Sequence, residues 1–234
     1  MKAGGADTPV NLKNPELQVR MRRGLTLVSL GRKEREIFRQ GLPKFFDIDE
    51  REIEKNLVGV GFPVTIHDLE KLNGENAQVS YSEKISKWII YSKNVAIAAS
   101  RLGEAEAHFS GNLRFSFALY IARNWFNGVI PNTKNLDDLK LFLERNTLVG
   151  EVCHVTQNQP IVENLSKQGL ILFVITTKEP SGPGVDLCTM PENAIPIFQK
   201  YGLAHFDVGE SCLVESQADY GKRSSFINQM TEDV

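Results

Sequence analysis

Lys71 stands two residues ahead of an Asn73-Gly74 pair, and the alternating run AQVSYS follows directly. Asn-Gly between apolar runs signals a tight turn. Such a turn holds a neighbouring side chain at one point beside a sheet. A lysine amine attacks phosphorus only when it is neutral, and desolvation or a nearby cation lowers its pKa toward that state. The spacing therefore permits covalent phosphoryl chemistry at Lys71, and a solvated lysine beside a hairpin is the alternative it leaves open. A second candidate is Glu151, in the apolar run TLVGEVC. A carboxylate within a buried strand is costly unless it has a partner.

Other catalytic patterns are missing. No G-x-x-x-x-G-K-[ST] cradle occurs, nor a G-x-G-x-x-G opening a helix. The SGPG segment at Ser181 reads as a plain loop. Four histidines give no Ser-His-Asp or Cys-His arrangement. The cysteines, Cys153, Cys188 and Cys212, are three in number and widely spaced, which argues against a disulfide framework and for a reducing compartment. Cys153-His154 has no C-x-x-C or H-x-x-x-H beside it, so no zinc site is expected.

These residues sit on a near-neutral chain of 234 residues with net charge −2, which is unlike a protein that coats nucleic acid non-specifically. The charge is uneven. Val19 to Lys44 carries eight Lys/Arg against two Glu, and Ala204 onward carries six Asp/Glu against two Lys/Arg. A basic stretch on a neutral body fits the binding of a few phosphates at one place, or a solvated face. The hydrophobic fraction of 41% supports a sizeable core. No apolar run approaches the roughly 18–20 residues that span a bilayer, and the first residues lack the apolar core of a secretory signal. An intracellular protein, cytoplasmic or nuclear, is expected, with residues 1–18 a flexible lead-in to one domain over 19–234.

The elements that must position the candidates can be read from periodicity. RGLTLVSL, AQVSYS, KWIIYSKNVAIAAS, TLVGEVCHV and GLILFVITT read as strands, rich in β-branched and aromatic residues. DEREIEKNL after the paired aromatics Phe45 and Phe46 reads as a short helical start. LRFSFALYIARNWFNGVI places Phe117, Ile121 and Trp125 at helical spacing and is expected to end at Gly128. NLDDLKLFLERN is a second helix, with Asn135 as N-cap and Asp137 and Asp138 in its first turn. MPENAIPIFQKYGL is a third, stopped by Gly202, with Pro196 marking its first turn. Strands on both sides of a helical insert indicate an α+β fold built on antiparallel sheets.

The order of these segments adds a further reading. RRGLTLVSLGRKEREIFRQGLPKFFDIDE, then EKLNGE, WIIYSKN, TLVGEVC and GLILFVITT resembles the covalent nucleotidyltransferase superfamily of RNA and DNA ligases and capping guanylyltransferases. The likeness is greatest to RNA ligases of the phage tRNA-repair type and to the adenylyltransferase domain of fungal-type tRNA ligases. It runs from about Arg22 to about Phe206. The resemblance implies a ligase fold with antiparallel sheets flanking a nucleotide cleft. It implies ATP and Mg2+ as cofactors and RNA ends, a 5′-phosphate and a 3′-hydroxyl, as partners. It implies no membrane, and further repair domains in a longer chain.

Residue by residue, the resemblance gives Lys71 as the nucleophile that holds AMP. Glu70 falls where relatives place an acceptor for the adenine amino group, and Asn73 and Gly74 form the nucleotide-facing turn. Arg23 and Lys44 match basic groups near the phosphates and the RNA end. Ser92 and Lys93 match the motif on the following strand, Glu151 a carboxylate that contacts the ribose, and Phe173 the apolar strand backing the nucleotide. Asp47 stands where relatives have Asn. The closing Glu-Gly-x-Val and Lys-x-Lys strands of the family have no match after Phe206, so a domain incomplete at its C-terminus is expected. Two other readings stay open: a non-catalytic nucleotide- or RNA-binding remnant, and a GTP-using capping-type enzyme.

Overall fold

The computed structural model describes residues 26–29, 35–39, 41–42, 61–69, 72, 74–153, 168–177 and 188–220. The chain forms two compact units, one of residues 1–44 and 71–206, the other of 45–70 and 207–234. The described parts are mixed α+β with antiparallel sheets, as the strand and helix periodicities predict.

In the first unit, β1 (Thr26–Ser29) pairs antiparallel with β2 (Arg35–Arg39). The centre of this unit is a five-stranded sheet. Its strands are β4 (Glu75–Ser82), β5 (Lys87–Ser92), β6 (Ala96–Ala99), β7 (Asn146–Cys153) and β8 (Gly169–Thr177), in the order β6-β5-β4-β7-β8. Every neighbouring pair is antiparallel. In the second unit, β3 (Val64–Leu69) pairs antiparallel with β9 (Val208–Val214).

Among the described residues, four α-helices are found in this unit: α1 (Leu102–Phe109), α2 (Ser116–Arg123), α3 (Leu136–Leu143) and α4 (Pro191–Tyr201). Directly opposite residues of antiparallel strands share a face, so the register sorts the sheet into two. One face carries Ala77, Val79, Trp88, Ile90, Ile97, Ala99, Leu148 and Val152, all buried. Trp88 meets the fully buried Trp125 edge-on, with ring centroids 5.1 Å apart, and Tyr81 meets Trp88 at 4.9 Å. Ala118, Leu119, Ile121 and Ala122 make α2 apolar along its buried side. Lys87 of β5 pairs with Glu104 in the first turn of α1. That lysine, with the Ser100 amide and hydroxyl, holds the Glu104 carboxyl at about 2.

Two expectations need correction, and a third, Asn135 as the N-cap of α3, holds in position but without a side-chain bond. The helix through Trp125 does not stop at Gly128. It widens into a π-helical turn over Asn124–Val129 and tightens into a 3-10 turn over Ile130–Asn132. Asn135 occupies the N-cap position of α3 in a left-handed conformation, φ 53°, with no side-chain cap bond; its carbonyl takes the Leu139 amide. Asparagine tolerates that conformation better than most residues. Pro191, not Pro196, opens α4, and Pro196 lies inside it. Pro191 sits where the amide would have no helical partner in any case. Gly202 does end α4, in the left-handed region at φ 71°.

Candidate functional site

Lys71, Glu70, Asn73, Arg23 and Lys44 lie outside the described residues, as do Phe45, Phe46 and Asp47. The other five predicted residues are Gly74, Ser92, Lys93, Glu151 and Phe173. The first four meet at one end of the five-stranded sheet, where β4 begins and β5 and β7 end.

The register builds this corner. Asn76 of β4 is opposite Glu151 of β7, and Glu75 is opposite Val152. Ala77 is opposite Ser92, so Lys93, exposed, is the first residue past the end of β5 beside the start of β4. Gly74 immediately precedes β4. Its amide donates to Glu151 Oε2 at 2.7 Å, a bond between residues 77 apart in sequence. An amide bonded to a carboxylate is among the stronger hydrogen bonds, and it satisfies the partner that Glu151 requires in a largely buried strand.

Gly74 is needed for space, not for backbone angle. A Cβ there would sit 2.7 Å from the Val152 carbonyl oxygen and 3.0 Å from Cys153 Sγ. The strand after it does not form a hairpin with β3: β4 pairs with β5 and β7, and β3 with β9. Gly150, just before Glu151, is tighter still, because its Cβ would lie 2.2 Å from the Ile171 carbonyl oxygen. Two glycines therefore let β4, β7 and β8 close around the carboxylate.

Phe173 has a distinct place. Val149 pairs with Val174 and Gly150 with Leu172, so Phe173 is the extra residue of a β-bulge. It is half-buried. Leu172, next to it, pairs outward with the segment 204–206, donating to the Ala204 carbonyl at 3.0 Å and accepting from the Phe206 amide at 2.9 Å. The bulge keeps Ile171 opposite Glu151 while re-aiming the strand beyond it.

Ser92 is near the corner but not part of its open side. Opposite Ala77, it shares the apolar, helix-covered face and is 7% exposed. Its hydroxyl closes the 92–95 turn, accepting from the Asn94 amide at 3.4 Å and the Val95 amide at 3.3 Å. The resemblance expects a ligand group there, and the described bonds are those of a turn.

Two residues of the corner were not anticipated. Asn76, half-buried, faces the same side as Glu151. Gln78, fully buried two residues on, donates from Nε2 to Asn76 Oδ1 at 2.8 Å. The signal lay in the run ENAQVSYS, where Asn76, Gln78, Ser80 and Ser82 alternate with Ala77, Val79 and Tyr81. Alternation of that kind ordinarily marks a solvated strand face. Here Gln78, Ser80 and Ser82 are buried, together with Thr147 and Thr176 of β7 and β8. Tyr91 Oη donates to Thr147 Oγ1 at 3.1 Å on that same face.

Among the described residues no group of three or more His, Cys, Asp or Glu could hold a metal ion, and no helix is long and apolar enough to cross a membrane. What the corner offers chemically is a carboxylate tied to a backbone amide, a carboxamide beside it, and an exposed lysine at the neighbouring strand end. Comparison with protein-family models and with curated proteins finds no match for this chain.

Proposed function

We propose that this chain is the adenylyltransferase domain of an ATP-dependent RNA ligase, with a nucleotidyltransferase fold and Lys71 as its covalent nucleophile. The observation that carries the reading is the 2.7 Å bond from the Gly74 amide to Glu151. It joins the segment K-x-N-G to the carboxylate that the resemblance assigns to the third motif, across 77 residues of sequence. Lys71 is three residues before Gly74, and three residues of chain span at most about 10 Å. Lys93 at the adjacent strand end supports the same reading, since a transferring phosphoryl group is stabilised by positioned cations more than by a strong base.

The substrate is the magnesium complex of ATP, in which the metal rides on the phosphates and needs no cage of protein ligands. In its neutral form, Lys71 Nζ attacks the α-phosphorus. The P–N bond forms, the P–O bond to the β-phosphate breaks, pyrophosphate leaves and the amine loses a proton to solvent. The AMP group then passes to an RNA 5′-phosphate, and a 3′-hydroxyl displaces it.

The test is incubation with α-labelled ATP and magnesium, followed by denaturing electrophoresis. Label should stay with the protein and should vanish in Lys71→Ala. ATP binding without any label would favour the non-catalytic remnant, label from GTP alone would favour a capping-type enzyme, and label that survives loss of Lys71 would overturn the assignment.

A further inference from the structure

We infer that the outer edge of β6 docks an extended segment of another protein, one with apolar residues at alternate positions and acidic residues at both ends. The inference is independent of the nucleotide reading. β6 closes the order of the five-stranded sheet, and among the described residues no strand pairs with its far side. Bonded and non-bonded residue pairs alternate along an antiparallel ladder. The Ser92 amide donates to the Val95 carbonyl at 2.9 Å, so Ser92 and Val95 are a bonded pair. The alternation then bonds Ile97 and Ala99 to β5, and it turns the amides and carbonyls of Ala96 and Ala98 outward. This outward row stops on both sides. The Ser100 amide donates to Glu104 Oε2 at 2.8 Å, and the Asn94 amide to Ser92 Oγ at 3.4 Å.

An exposed edge is ordinarily guarded by charged residues, proline or a bulge. Residues 94–100, NVAIAAS, hold no charged residue and no proline, so shortness is the guard that β6 has. Ala96 and Ala98 are half-buried and pack with Ile85 against Ile89 and Tyr91. Their methyl groups leave a shallow apolar shelf beside the edge. Alternate residues of an incoming strand share one face, so apolar side chains at every second position meet that shelf.

Charge selects the occupant. Lys93 and Arg101 flank the edge, both are exposed, and neither forms an ion pair among the described residues. Arg101 is still extended, at φ −155° and ψ 161°, and so prolongs the line of the strand. Each of the two lies four residues from Ile97. A second copy paired antiparallel about Ile97 would therefore set Lys93 of one chain opposite Arg101 of the other, and like charges directly opposite are destabilising. A segment with Asp or Glu about six to eight residues apart brings opposite charge to both ends.

The experiment is titration of the full chain with a labelled, terminally blocked peptide of alternating Val and Thr with Glu at each end, and with the same peptide carrying Lys at its ends. Melting temperatures and sedimentation are measured alongside. The Glu-ended peptide should bind about tenfold more tightly than the Lys-ended one, and the preference should shrink as salt is raised. Ala98→Pro removes one outward amide while leaving the pairing with β5 intact, and it should weaken binding of the Glu-ended peptide by about tenfold. Arg101→Asp reverses the charge at one end and should erase the preference for Glu ends. Aspartate also suits the N-cap position of α1 that Arg101 occupies, so this variant keeps the test valid if the proline variant fails to fold. Lys93 is left unaltered because it belongs to the corner assigned to the phosphates. Absence of binding overturns the inference, as does binding that folded Ala98→Pro and Arg101→Asp leave unchanged. Concentration-dependent dimerisation that Ala98→Pro abolishes would assign the edge to a second copy and overturn it as well.

Discussion

The two faces of the five-stranded sheet are made by the same strands, and one is buried almost wholly with apolar side chains while the other mixes polar and apolar ones. On one face Val79, Trp88, Ile90, Ile97 and Leu148 are all buried, and Trp88 meets the buried Trp125 beyond α2. On the other, Gln78, Ser80, Ser82, Thr147 and Thr176 are as completely enclosed, interleaved with buried Ile89, Tyr91, Val149 and Ile171, and half-buried Asn76 and Glu151 lie at one end. Apolar burial is favourable at roughly 25 cal/mol per Å². Polar burial is at best neutral, and it costs about 1–3 kcal/mol per group left without a partner. The difference teaches that both faces contribute apolar burial, whereas only the second also encloses a row of polar side chains whose desolvation must be offset. A ligand surface is one physical reason to keep such a row beside an anchored carboxylate.

The largest effect that would test this division is on the apolar face. Trp125→Ala removes a fully buried indole from contact with Trp88. Loss of about 3–5 kcal/mol is expected, as for large-to-small core changes in general. Denaturant midpoints measure it, and a loss below about 1 kcal/mol would mean that this face is not the principal core.

The next effect lies where the two faces share a backbone. Gly150→Ala places a methyl 2.2 Å from the Ile171 carbonyl oxygen, so β7 and β8 must part. Overpacking of this kind costs about 1–3 kcal/mol. Glu151, one residue on, moves with the strand, so Lys71 labelling should fall by more than the population of folded protein does. Equal losses of stability and labelling would assign Gly150 to the scaffold only.

Much of this was legible before any coordinates. KWIIYS, TLVGEVC and GLILFVITT are strands because β-branched and aromatic residues fit a pleated, buried surface, and each lies where that rule places it. The stop at Gly202 followed from its freedom in the left-handed region. The bond from the Gly74 amide to Glu151 was not legible in any local pattern, since no periodicity links residues 77 apart. What escaped was long-range. The facing of Ser92 depends on the β4–β5 register, which is fixed by strand partners and not by the sequence YSKN itself. The bulge at Phe173 lies at the shift in the β7–β8 register between Val149 and Gly150, which only the assembled sheet reveals. The burial of Gln78 and its bond to Asn76 escaped notice because a polar alternation reads as solvated until burial is known.

The smallest expected effect gives the sharpest contrast between the faces. Ser80 and Ala77 lie three residues apart on one strand, on opposite faces, and both are completely buried. The Ser80 hydroxyl has no hydrogen-bond partner among the described residues. Ser80→Ala therefore removes a desolvated polar group and loses one small atom of packing. The first term favours the variant by up to about 1–3 kcal/mol, and the second opposes it by less than the roughly 0.8 kcal/mol of a buried methylene. A net gain of about 1 kcal/mol is expected, which raises the melting temperature by about 2–4 °C for a chain of this size. Ala77→Ser is the mirror image. It inserts a hydroxyl into the apolar face opposite Ser92, whose own hydroxyl is engaged in the 92–95 turn, and it should lower stability by about 1–3 kcal/mol. Opposite signs for exchanges between the same two residue types on one strand would establish the two faces as different solvents. If Ser80→Ala is instead destabilising by more than about 1 kcal/mol, the hydroxyl is partnered in solution, and the polar face is a hydrogen-bonded core in its own right.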